Sequence, residues 1–201
     1  MGMLSLGLGA VGVAIAGVFL ANTDFCLTGA EQATLEYLEN ADLKTIGDEE
    51  KMFKAGTLWE KSGAVVVAEA SRLSSLKPQL EELGVPLFAL VKEHIGTQIQ
   101  DFRPHFAGDI FLDEQQIFYG PQQRKMGGLG FIRLGVWLNF FRAWKAGYQG
   151  NMEGEGFVLG GVFVIGAGKQ GILLEHREKE FGNIVSSEVV LDAVKKIQKI
   201  D

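Results

Sequence analysis

The chain has 201 residues, 47% of them apolar and 22% charged, with a net charge of −6. That length supplies one sizeable core, and the composition shows no disordered tract. The acidic balance argues against a nucleic-acid partner, which needs clustered Lys and Arg. A single cysteine, Cys26, excludes an internal disulfide, a C-x-x-C pair and a cysteine-based zinc site within one chain.

Residues 1–27 form an apolar N-terminal arm, and 28–201 are expected to be one domain. Met1 to Thr23 carries no charge, and Leu4 to Ala21 is an almost unbroken apolar run. Its 18 residues just reach the length of a bilayer crossing. Glycines at 7, 9, 12 and 17 weaken an isolated helix, and no basic residue precedes the run as a signal peptide requires. A membrane anchor or uncleaved signal-like segment, and a buried or surface-lying arm, both fit. Gly7 to Gly12 matches G-x-G-x-x-G, but only six residues precede it, too few for the strand that a dinucleotide fingerprint follows.

Thr28 and Glu31 have capping-box spacing and predict a helix over about 29–40. Gly47 to Lys51 reads as a polar connector. Ala64-Val65-Val66-Val67-Ala68 is a continuous apolar run, the pattern of a strand buried on both faces. Leu73, Leu76, Leu80 and Leu83 follow at helical spacing, with Gly84 as the stop and Pro78 expected to kink the helix or to sit near a local break. Val85 to Val91 is a second buried strand, and 95–102 a short helix. Ile110–Asp113 and Ile117–Pro121 read as strand, turn and partner strand. An aromatic-rich helix is expected over 126–146. Val158–Ile165 and Ile172–Glu175 then make a hairpin around Gly166–Gly171, a second G-x-G-x-x-G match that reads as a turn. Ser186 or Ser187 caps a final helix with Val189, Val190, Ala193, Val194, Ile197 and Ile200 on one face. This order implies an α/β fold, a central mixed sheet with helices on both faces.

Particular blocks narrow the reading further. Trp59-Glu60-Lys61-Ser62-Gly63-Ala64, Leu83-Gly84-Val85-Pro86-Leu87, Lys92-Glu93-His94-Ile95, Tyr119-Gly120-Pro121, Gly130 to Trp137, Asn139 to Trp144 and Glu175 to Gly182 together resemble the peroxiredoxin-like 2A family. The resemblance runs from about Ala21 to the last helix. It implies a thioredoxin-like, peroxiredoxin-type fold, an antioxidant role in cellular redox regulation, a thiol-reducing partner in intact members, and a cytoplasmic location. The arm keeps membrane association or secretion as the alternative.

The family's C-x-x-C follows the first buried strand, where backbone N–H groups and a helix dipole favour a thiolate. Here it would fall between Ala68 and Ser71, and neither cysteine is present. Cys26 is a weak substitute, since Asp24 and Glu31 are its charged neighbours in sequence and nothing nearby would depress its pKa. No catalytic residue, cofactor or metal is therefore expected. His94, His105 and His176 lack metal-ligand spacing, and Glu175-His176-Arg177-Glu178 reads as a solvated strand end.

One other stretch stands out. No acidic residue lies between Glu114 and Glu153, while basic residues alternate with aromatic ones. A core helix with snorkelling basic residues explains this. The functional alternative is a protein or membrane surface built from Arg133, Trp137, Phe141, Arg142 and Trp144. The expected function is that of a family member deficient in thiol catalysis, with a non-enzymatic binding or regulatory module and a poorly folding splice product as alternatives.

Overall fold

The computed structural model describes residues 31–47, 49–68, 72–93, 103–120, 159–179 and 185–200, with single positions 18, 99, 138 and 145. Among the described residues seven strands form one sheet: β1 Asp42–Thr45, β2 Met52–Lys54, β3 Ala64–Ala68, β4 Leu87–Val91, β5 Asp109–Leu112, β6 Gly161–Ile165 and β7 Ile172–Arg177. Their spatial order is β2-β1-β5-β4-β3-β6-β7. The β3–β4 and β4–β5 pairs are parallel; every other pair is antiparallel.

β3 is the centre of this arrangement because its side chains are apolar on both faces. Val65 and Val67 point into a core shared with α2 (Lys77–Glu82) and α3 (Ser187–Val194), through Leu80, Val190, Ala193 and Val194. Ala64, Val66 and Ala68 point the other way, into a core with Leu38 of α1 (Leu35–Glu39), Trp59, Phe118 and Phe163. Burying each valine is worth roughly 1.5–3 kcal/mol, and all five β3 residues are fully buried. Helices on both faces of a mixed sheet are thus observed as expected.

Several local expectations are corrected. Residues 31–34 are not helical; Thr34 caps α1, its Oγ1 accepting from Tyr37 N–H at 3.1 Å. Thr28 and its capping box lie outside the described residues. The 47–51 connector joins two strands too short to show a pattern, β1 and β2. Of the two expectations for Pro78, the local break is the one observed: Arg72–Leu76 is a 3-10 turn, and α2 begins beside Pro78, where a missing N–H costs nothing. Ile117–Tyr119 is a 3-10 turn, not a strand. In α3, Ser186 is the cap, while Val189 and Ile200 are exposed and do not share the buried face. The helices expected over 95–102 and 126–146 lie outside the described residues, apart from helical positions Ile99, Leu138 and Lys145.

The hairpin is as read. Gly166 N–H donates to Gly171 O at 2.9 Å, and Gly168 and Gly171 take positive φ of 54° and 105°. Gly84 ends α2 with φ 60°.

Candidate functional site

The parallel strands β3, β4 and β5 end together at Ala68, Val91 and Leu112. In sheets of this kind ligands bind beyond the carboxyl ends of the strands. Two antiparallel strands extend that edge, for Ala68 pairs with Gly161 and Gly161 with Arg177. Arg177 is therefore two strands from the residue after which a redox block would follow.

The Arg177 side chain is only 6% exposed. Its Nε donates to Glu175 Oε1 at 2.7 Å, Nη1 donates to Phe118 O, and the guanidinium lies 4.6 Å from the Phe163 ring centroid. Nη2 has no acceptor among the described residues. Glu175, 11% exposed, also accepts the Ala33 N–H, at 3.2 and 3.0 Å from its two oxygens. The charge run of β7 therefore holds a part-buried ion pair and is not a solvated strand end. The residues belong to an edge strand whose inner face still covers Phe163, so a long side chain lies flat over the ring.

Beyond β5, Asp113 is fully buried. Its carboxylate accepts Ile117 N–H at 3.1 Å and Phe118 N–H at 2.9 Å. Burial pushes its pKa above the ordinary 3.8, against the lowering effect of these backbone donors. Tyr119 donates its hydroxyl to Leu90 O at 3.1 Å, and Lys92 Nζ sits 5.8 Å from the Tyr119 ring centroid. Burial, followed by the charge of Asp113, raises the Tyr37 pKa, and Arg177 opposes them.

This edge offers cations, carboxylates and a phenol, but among its described residues no nucleophile. Ala68 ends β3 in the core. Ser71, Cys26, His94 and the five residues Arg133, Trp137, Phe141, Arg142 and Trp144 lie outside the described residues. His105 falls in the 3-10 turn Arg103–His105, and His176 in β7 opposite Val162, so these two histidines are on different elements. Asp113 and the Glu175–Arg177 pair escaped the sequence reading. Acidic and basic residues two apart, closing an otherwise apolar hairpin, were the available signal for the pair.

The family model for the AhpC/TSA antioxidant enzyme matches residues 72–180. Peroxiredoxin-like 2A of Danio rerio is 72% identical over 208 residues, covering 98% of both chains. The chain belongs to the peroxiredoxin-like 2A family. Peroxiredoxin-like 2A of Homo sapiens is 60% identical over 209 residues, covering 98% of this chain and 91% of its own. The fold is accordingly the AhpC/TSA, thioredoxin-like one, and the family's role is antioxidant. Both alignments are longer than the 201 residues of this chain, so each relative has residues without a counterpart here. Among solved structures, reduced Prx3 from Vibrio vulnificus in complex with H2O2 has a TM-score of 0.48 at 16% identity, covering 83% of this chain and 99% of that one. Among the described residues no helix is long and apolar enough to cross a membrane.

Proposed function

We propose that this chain is an antioxidant-family protein that has kept the fold and lost the thiol cycle. The observation that carries the reading is the single cysteine, Cys26, together with the three residues Glu69, Ala70 and Ser71 that separate the end of β3 from the 3-10 turn at Arg72. A C-x-x-C cycle needs a thiolate to attack peroxide, giving a sulfenic acid and releasing water or an alcohol. A second thiol then displaces water to close a disulfide, and a donor returns two electrons. One thiol per chain can begin that sequence but cannot close it internally. The longer alignments of the relatives support a missing block.

The activity left to such a chain is binding, in the cytoplasm, through surfaces shared with active relatives. Hydrogen peroxide consumption coupled to glutathione or thioredoxin tests the reading, with the Danio rerio relative as the comparison. Peroxide removal by this chain above the buffer rate, sustained over many turnovers, contradicts it.

A further inference from the structure

α1 has five residues, far below the length at which a helix holds itself together. Its carboxyl end is fixed, because β1 starts at Asp42 and Ala55 N–H donates to Ala41 O at 2.9 Å. Its amino end is held differently. Ala33 N–H spans to the nearly buried Glu175 carboxylate, 142 positions away in sequence. The Glu39–Lys169 ion pair at 2.7 Å is solvent-exposed on the lysine side and contributes little. Beside the helix lies an open cleft of about 430 Å3, lined by Thr34, Tyr37, Asn40, Ala41 and Ile117 among others, while Leu38 shares the core with Phe118 and Tyr119 of the 117–119 turn. Within α1 Leu38 is the one fully buried residue, and Leu35 and Tyr37 pack partly buried against the same core.

We infer that residues 31–41 form a latched flap, hinged where α1 meets β1 and closed by Ala33 on Glu175. The latch shares its acceptor with Arg177, whose Nη1 holds the Phe118 carbonyl and whose ring partner is Phe163. Opening removes a charge-assisted donor from Glu175, uncovers the Leu38 site and leaves Glu175 to Arg177 alone. The entry to the domain and the carboxyl edge of the sheet are thereby coupled, whatever the thiol content of the chain. A segment this short, with one fully buried side chain in its helix and its amino end held by a single side-chain acceptor, can open below the global unfolding free energy.

Native-state amide hydrogen exchange tests this. The Leu38 amide, bonded to Thr34 O at 3.2 Å, should exchange faster than the Val66 and Leu90 amides in the unmodified chain. Ala33→Pro removes the latch donor and leaves the Glu175–Arg177 pair in place. It should accelerate Leu38 exchange by roughly tenfold or more, the size of a lost charge-assisted hydrogen bond, with Val66 and Leu90 unchanged. Glu175→Gln, which keeps an acceptor without the charge, should give a smaller acceleration. Leu38 exchanging only with the core strands overturns the inference, as does an Ala33→Pro variant with unchanged Leu38 exchange or with all three amides accelerated equally.

Discussion

The aliphatic stem of Arg177 lies against the face of Gly161 that a side chain would occupy. A β-carbon on Gly161 would stand 3.3 Å from Arg177 Cδ and 2.6 Å from the His176 carbonyl oxygen. The oxygen is main-chain and paired in the sheet, so it cannot move aside as a flexible side chain would. Gly161→Ala should therefore destabilise the domain by roughly 1–3 kcal/mol, the range for overpacking a filled site. Urea unfolding followed by tryptophan fluorescence measures it, and an unchanged midpoint contradicts this close approach.

Arg177 should matter for stability more than an ordinary surface arginine. Arg177→Met keeps much of the stem over Phe163 but leaves Glu175 and the Phe118 carbonyl without their charged donor. Breaking one side of a buried pair costs about 3–5 kcal/mol; 11% exposure of Glu175 places this pair toward the lower end. Thermal melts of the two proteins at equal concentration give the difference. A melting temperature within a degree or so of the unmodified chain means that Glu175 is adequately satisfied by Ala33 alone.

Much of the fold was legible because its centre is written in continuous apolar runs. Ala64–Ala68 and the hairpin around Gly166–Gly171 are bounded by glycine and carry no competing pattern. β1 and β2 were not legible. They have four and three residues, with Asp42, Lys44 and Lys54 turned outward, so only Leu43 and Phe53 carry the inward signal. The triplet Ile117-Phe118-Tyr119 looked like a strand for a sound local reason, its β-favouring residues. What overrides it is Asp113, whose carboxylate takes two N–H groups that a ladder would need, and Gln116, which turns the chain at φ 56°. Part-buried charge at Glu175 and Arg177 depends on a partner 142 positions away and on a ring across the sheet. No local window contains those.

Asp113 is the organiser of that turn. Asp113→Ala strands two N–H groups, those of Ile117 and Phe118, and the latter is buried. The expected loss is about 2–4 kcal/mol, from one to two kcal/mol per orphaned donor. Denaturant titration checks the magnitude, and a loss below about 0.5 kcal/mol would assign the turn to packing of Phe118 and Tyr119 instead.

Asp113 also sets a pH dependence of definite sign. Its folded pKa lies above 3.8, so the folded state holds the proton more tightly than the unfolded chain. The resulting stabilisation is fully present below the unfolded value and is lost as pH rises through the folded one. Compared with Asp113→Asn, whose side chain does not titrate, the unmodified protein should be relatively most stable below about pH 3.8 and should lose ground as pH rises. Stability differences between the two, measured across that window, test the sign. A relative gain with rising pH contradicts burial as the dominant cause.

The most direct test of a fold kept without its thiol cycle is steady-state peroxide turnover by the purified chain, coupled to glutathione or thioredoxin, beside Cys26→Ser. Both proteins should run at the rate of the buffer alone. Turnover in the unmodified chain that disappears in Cys26→Ser would make Cys26 a working nucleophile and contradict the loss of thiol catalysis.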